Sequence, residues 1–402
     1  MKKILAFIFT ISIICTAASA SNFFKERIFE IKTGADFGIS NNLFSCKDLL
    51  KKDLVIDLRK IADECPKNGF DIRASVDPKL EVNLNIIGLN FGYSSGIESY
   101  EKFNLGKDIF DFLGYGNTVG ETLEINFNNS TEVYAYSEVK VGFNIGKFKI
   151  NVRPAVFLPV LSICNSGGSL TVRNDSDGKL AINMTTDMAI YSSVPLKSDD
   201  DGVTFDTDSM ADILAGNYGL DLGGSVGYAF TDTFSIEGVC RVPVIPGHLK
   251  NKASVKGGFT YNMKLTDFEN SEKETKETEV VNEEAFYAIN RPMKLSAYVN
   301  KDLLGKLFIA RAGAGLGIQR PFCDGAYCYP EYYLGLTFNF INIVKVGIST
   351  EYTSQLFKHQ IGTSVNVRVV QLDLGISTQS SNFKKSMEVS GVGAYAFLTV
   401  GF

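Results

Sequence analysis

"GVGAYAFLTVGF", residues 391–402, closes the chain. Counting back from the terminus, one face reads Phe402, Val400, Leu398, Ala396, Ala394 and Val392, and the other Gly401, Thr399, Phe397, Tyr395 and Gly393. A period of two is the signature of a strand, and one face of this strand is wholly apolar. A hydrophobic strand with a free edge promotes aggregation, and such edges are usually blunted by charge or proline. Nothing blunts this one. Its edge must therefore be paired inside a closed sheet.

The same alternation recurs upstream. In residues 219–230, Leu220, Leu222, Val226, Tyr228 and Phe230 oppose Asp221, Gly223, Ser225, Gly227 and Ala229. In 307–320, Phe308, Ala310, Ala312, Ala314, Leu316 and Ile318 oppose Arg311, Gly313, Gly315, Gly317 and Gln319. Residues 361–370 and 372–377 repeat the scheme, with Arg368 and Asp373 on the polar faces. A soluble sandwich and a membrane barrel both alternate in this way. Strand length, glycine on the polar faces and the unblunted terminal strand favour the barrel. The composition agrees, with Gly 37, Phe 30, Tyr 17, Trp 0 and Pro 10. No run after the N-terminus approaches the roughly 18 apolar residues of a transmembrane helix, whereas barrel strands need only about ten alternating residues each. The formal net charge of -5 leaves no basic footprint for nucleic acid.

The chain begins "MKKILAFIFTISIICTAASA", with Lys2 and Lys3, an apolar run from Ile4 to Ile14, and Ala18-Ser19-Ala20. This is the pattern of a secretory signal cleaved after Ala20, predicting export of residues 21–402 as a single domain. Lipidation at Cys15 is disfavoured because Ile14 is bulky where that signal wants a small residue. Residues 45–65 space Leu49, Leu50, Leu54, Leu58 and Ile61 as an amphipathic helix, and a shorter helix is predicted around Asp108 to Leu113. Both fall within residues 21–117, as a plug or periplasmic cap. Residues 267–286 and 197–212 are dense in charge and read as solvated loops.

Enzymatic motifs find no support. "GGSVG" at 223–227 has the spacing of a nucleophile elbow, but alternation continues through Ser225 and no helix follows. Only His248 and His359 are available as a base. "GAGLG" at 313–317 lacks the spacing of a dinucleotide loop. The Asp199–Asp201 cluster lacks the alternating ligands of a calcium loop. No metal or cofactor is expected. Beyond the leader the cysteines are Cys46, Cys65, Cys164, Cys240, Cys323 and Cys328, an even set that permits disulfides in an exported protein. Cys323 and Cys328 flank "DGAY", and a local bridge closing an aromatic surface loop is predicted there. Arg311, Lys345, Glu351, Arg368 and Asp373 share the polar faces and are expected as paired charges in an otherwise sparsely charged lumen.

Together these features resemble bacterial outer-membrane barrels. The ending, with Phe402 last and Val400 and Leu398 at alternate positions before it, resembles the signal read by the barrel-assembly machinery. Over most of its length the chain resembles the long-chain fatty-acid transporter type (FadL-like) and the transporter-like barrels of spirochaetes. The resemblance implies an all-β transmembrane antiparallel barrel of about 14 strands, within the roughly 12 to 16 that alternation suggests. It also implies short N-terminal helices acting as hatch or cap. The expected function is passive passage of hydrophobic small molecules, such as long-chain fatty acids, across the outer membrane. The alternatives are a diffusion porin for small polar solutes and a surface-displayed interaction protein. In "SNFFKERIF", Phe23 and Phe24 stand where such a hatch presents aromatic rings to ligand. The family's Asn-Pro-Ala hatch motif is absent, the nearest stretch being "GADFGISNNLF".

Overall fold

The computed structural model describes residues 27–46, 56–86, 88–199, 202–205, 217–264, 267–340 and 343–402. The leader, Phe23 and Phe24 lie outside the described residues. The strands are β1 (Phe29–Asn41), β2 (Phe70–Ile86), β3 (Leu89–Leu105), β4 (Thr122–Ile145), β5 (Phe148–Asn174) and β6 (Lys179–Ser192). They continue with β7 (Leu196–Asp199), β8 (Gly202–Phe205), β9 (Gly219–Thr231), β10 (Phe234–Ile245), β11 (Gly247–Lys264), β12 (Asp267–Ile289) and β13 (Met293–Leu303). The last are β14 (Phe308–Gln319), β15 (Tyr327–Phe340), β16 (Val344–Thr353), β17 (Leu356–Val367), β18 (Val370–Ser380) and β19 (Gly391–Gly401).

The terminal strand finds its partner at the other end of the chain. β19 pairs antiparallel with β1 from Glu30↔Gly401 to Ser40↔Gly391. Phe402 continues the junction: its carbonyl accepts from the backbone N–H groups of Ile28 (2.6 Å) and Phe29 (3.1 Å). The sheet is thereby closed and antiparallel, with the β19 edge paired.

The expected strand number needs correction. Among the described residues the sheet contains seventeen segments rather than about fourteen, with β7 and β8 forming a separate hairpin. The difference arises because three long strands are each broken into stacked pieces. β10 passes into β11 at Pro246, and β12 into β13 around Pro292, where proline has no N–H for the ladder. β6 and β9 are separated by an insertion, and β5 pairs β9 along its first part and β6 along its second.

Arg27 and Phe402 lie at one end of the barrel, with the short β2–β3, β4–β5, β9–β10, β15–β16 and β17–β18 turns. Helices α1 (Leu58–Glu64), α2 (Asp108–Tyr115) and α3 (Phe383–Met387) lie at the opposite, loop end, because each follows an ascending strand. The two helices expected as a plug or cap thus lie at the end of the barrel opposite Arg27 and Phe402, among the loops. Asp57 caps α1 by accepting from the N–H groups of Arg59 and Lys60, as N-cap carboxylates do. Ala62 and Cys65 then pack against Leu43 and Phe110 in a small apolar core. Lys385 of α3 reaches Glu64 of α1 at 3.5 Å, tying the cap together. Residues 267–286, read as a loop, form most of β12. Their charges are compatible with a strand because this part of the sheet pairs with β11 in water, as the exposed Lys252–Glu283 contact (2.7 Å) illustrates.

β16 to β19 are 10, 12, 11 and 11 residues long, which at a tilt of about 40° matches the ~25 Å apolar band of a membrane barrel. Outward positions carry Val346, Ile348, Ile361, Leu372, Ile376, Val392 and Leu398, all exposed. Aromatic clusters bracket this band. Phe148, Tyr228, Phe230 and Phe234 gather near the turn end, and Tyr332, Tyr352 and Phe357 near the loop end. Rings at both borders are how such walls meet the two membrane interfaces. The inward glycines have a packing cause. Tyr395 lies along the inner wall over Gly362 and Gly375, where an added Cβ would come within 2.1 Å of its hydroxyl or ring.

Candidate functional site

The interior is not sparsely charged. Glu98 on β3 accepts from Arg241 of β10 at 2.7 Å and from Arg291, in the β12–β13 break, at 2.8 Å. Arg291 also donates to Asp221 of β9 at 2.9 Å and lies 4.3 Å over the Tyr136 ring. The Arg291 and Asp221 side chains are 2% and 1% exposed, so this is a buried network, not surface pairing. Between β3 and β10 around the wall lie β4, β5 and β9, so the contact crosses the barrel as a chord.

A second chord lies nearer the loop end. Glu132 of β4 pairs with Arg320 and Gln319 at the end of β14, and accepts from the Tyr134 hydroxyl at 3.0 Å. Arg320 further donates to Ser162 (3.0 Å) and Tyr287 (3.2 Å). Tyr134, Phe157, Leu249 and Ile289 pack into an apolar core beside these ion pairs. The two chords and this core form a partition across the lumen.

On one side of the partition is a cavity of about 650 Å³. Its lining includes Asp36, Arg73, Asp77, Lys102, Lys294 and Lys358, with Tyr100, Tyr327 and Tyr329. No residue of β9 or β10 lines it. It reaches the loop end at Ser354 and Gln355, where Arg73 donates to the Ser354 carbonyl at 3.3 Å.

The cavity also reaches the wall. The β2–β3 ladder pairs Phe70–Ala74 with Leu105–Glu101 and resumes at Lys79↔Gly96, leaving Ser75–Pro78 unpaired with Ile97–Tyr100. Pro78 has no N–H to give. In place of a backbone ladder, Val76 N–H donates to the Ser99 hydroxyl (2.8 Å), which donates back to the Val76 carbonyl (3.2 Å). Ser99 N–H donates to the Asp77 carboxylate at 3.2 Å. A side chain between two backbones holds them farther apart than a direct ladder bond does. Ala74, Pro78, Ile97, Ser99 and Glu101 occupy outward positions yet line the cavity. Among the described lining residues, outward strand positions come from β2 and β3 alone. The interruption is a window in the wall.

Of the residues singled out in the sequence, Arg311, Lys345, Glu351 and Asp373 occupy inward strand positions. Arg311 meets Glu237 at 3.5 Å, Asp373 meets Lys32 at 3.9 Å, and Glu351 lines the cavity. Arg368 does not face the lumen: it sits in the β17–β18 turn with φ 52°, exposed. Leu398 is outward on β19, Val400 follows it, and the Phe402 ring meets Phe29 at 5.8 Å. The Cys323–Cys328 bridge is absent, and both thiols are free. Cys323 accepts from Asn290 at 3.5 Å, whereas Cys328 is exposed on β15 opposite Ile318, so the two side chains have different neighbours. Ser225 accepts from Asn151 at 3.0 Å within the lumen wall. His248 stacks on Phe286, and His359 bridges Thr350 and Ser386 outside the lumen.

Sequence reading missed Glu98, Glu132, Asp221, Arg241, Arg291 and Arg320. A signal was available for two of them. "NRP" at 290–292 and "QRP" at 319–321 each place arginine before a proline that ends a ladder, freeing the side chain to turn inward.

These features define the class: a closed antiparallel barrel of membrane-spanning dimensions with a partitioned lumen. One solved structure at a TM-score of 0.50 shares the fold. A TodX mutant described as a monoaromatic hydrocarbon channel superposes with TM-score 0.50 at 9% identity, covering 96% of this chain and 93% of that one. The P. putida toluene transporter TodX gives 0.49 at 8% identity (96% and 92%), and the CymD monoaromatic hydrocarbon channel 0.46 at 9% (96% and 92%). In fold, then, the chain resembles a FadL-like barrel. No family model and no curated protein matches it.

Proposed function

We propose that the chain is an outer-membrane transporter that admits small molecules with a substantial apolar part and releases them sideways through the β2–β3 window. It is exported by its leader, inserted by the barrel-assembly machinery and embedded in outer-membrane lipid. The reading rests on one observation: among the described residues, the cavity meets the wall only beside the ladder interruption at Ser75–Pro78. Val76, Leu80 and Ile97 surround that point on the outer face, so an apolar molecule leaving there enters hydrocarbon without crossing water. Passage is passive, since it needs no energy-transducing partner. Long-chain fatty acids and monoaromatic hydrocarbons both belong to the expected substrate class. Phe23 and Phe24 are retained as ligand contacts of the leading segment, and Leu398, Val400 and Phe402 as the assembly signal.

The test is a reversible cross-link. Val76 and Ser99 face each other across the interrupted ladder, joined by two hydrogen bonds, so V76C/S99C places two thiols across the window. Oxidation should abolish uptake of labelled oleate and toluene, reductant should restore it, and neither single variant should respond. Undiminished uptake by the oxidised double variant refutes the lateral route.

A diffusion porin is the second reading, favoured by the charged inner wall. Its sign would be steady large conductance from intact protein in planar bilayers. The partition supports the opposite expectation, a low and flickering one.

A further inference from the structure

We infer that the cavity holds the head of a zwitterionic amphiphile whose cationic group adjoins the tail and whose anionic group is terminal. This rests on the cavity being the entry chamber of the proposed transporter, and it names the substrate class. Two like-charged pairs face each other across strands on the cavity wall. Arg73 is directly opposite Lys102, and Asp36 directly opposite Asp77. Like charges directly opposite are destabilising, so each pair calls for counter-charge. Each is half supplied. Asp71 lies 3.3 Å from Arg73, and Lys358 lies 2.9 Å from Asp36. Lys102 and Asp77 are left without an ion pair among the described residues, and both line the cavity.

Their spacing and order identify the ligand. Continuing the register between Ala74↔Glu101 and Lys79↔Gly96 sets Asp77 level with Glu98 of β3, so Lys102 is four residues nearer the cap, about 13 Å along the strand. Lys102 carries its ammonium on a flexible four-carbon stem, so one polar head can bridge the two charges. Asp77 is at the window itself, where its carboxylate accepts from Ser99 N–H. A tail leaving through the window therefore has its first charged group beside Asp77, which selects a cation. The far group meets Lys102, which selects an anion. The cavity is shielded by protein walls, so both attractions exceed their values in water.

Purified barrel in amphipol, titrated with four dodecyl probes, tests this. They are a sulfobetaine, a phosphocholine (which reverses the order of charges), a trimethylammonium and a sulfate. The sulfobetaine should bind at least tenfold more tightly than each of the others. K102M should erase its advantage over the trimethylammonium probe, and D77N its advantage over the sulfate, while K102R should keep both. Heat-modifiable mobility of each variant establishes that it is folded. Equal binding of all four, or preference for the phosphocholine, overturns the assignment. It leaves the lateral route to stand or fall by the window cross-link.

Discussion

Removing Glu98 is the most direct attack on the partition. Its carboxylate accepts from Arg241 at 2.7 Å and from Arg291 at 2.8 and 3.4 Å, and Arg291 is 2% exposed. In E98A, Arg291 keeps Asp221 at 2.9 Å, but Arg241 retains only the Pro292 carbonyl at 3.0 Å. Breaking a buried pair from one side costs about 3–5 kcal/mol, because a charge is left uncompensated. The loss should fall within that range for E98A, and E98A/R241M should recover part of it, with a coupling energy of ~0.5–3 kcal/mol. Denaturant unfolding from lipid vesicles measures both. The same variants are then placed in planar bilayers. E98A should raise conductance several-fold over the intact barrel, because the side of the lumen against β9 and β10 becomes continuous with the cavity. If the two substitutions are additive within ~0.5 kcal/mol and conductance is unchanged, the pairs are ornament on the wall and the partition does not exist.

Other consequences are independent of that network. Deleting Gly401 and Phe402 removes the backbone bonds to Ile28 and Phe29 that complete the β1–β19 junction, so heat-modifiable barrel in the membrane should fall sharply while export continues. G375V should cost about 1–3 kcal/mol by overpacking, since a Cβ there comes within 2.1 Å of the Tyr395 ring, and Y395A should restore most of that in the same background. Mass spectrometry without reductant should find Cys323 and Cys328 as free thiols. Burial pushes the Cys65 thiol up to about 11, so at pH 8 it is almost wholly protonated and should label far more slowly than Cys328 in folded protein.

The wall was legible in the sequence because its rule is local. Leu372, Leu374 and Ile376 alternate with Asp373, Gly375 and Ser377, and that alone assigns outward and inward faces. The partners across the lumen follow no local rule. Glu98 meets Arg291 from 193 positions away, and nothing in either neighbourhood names the other. The strand count failed for a related reason. A proline such as Pro246 ends one ladder, while the chain continues upward in the next, and alternation cannot tell one bent strand from two. Residues 267–286 read as a loop because dense charge excludes a strand within hydrocarbon, but beyond it the same charges sit on β12. The disulfide was inferred from spacing alone, and spacing does not say where two side chains point.

In the proposed transporter, the partition and the window together determine which route a ligand takes. A molecule entering at Ser354 and Gln355 meets, on the lumen side, Glu98 and Glu132 already saturated by arginines. Displacing those arginines would leave buried charges unpaired at several kcal/mol each, so the axial path is closed to a solute that brings no charge of its own. At Val76–Pro78 the barrier is different. The wall is held there by two hydrogen bonds through the Ser99 hydroxyl and one to Asp77, each worth only about 0.5–1.5 kcal/mol net when neutral and somewhat more with the carboxylate. Apolar surface leaving there gains about 25 cal/mol per Å² on passing from water into hydrocarbon. An aliphatic tail of modest length therefore offsets the opening of the window, whereas a small polar solute gains nothing by leaving sideways. In that proposed route the charges of the inner wall, by their actual pairing, turn the path toward the membrane.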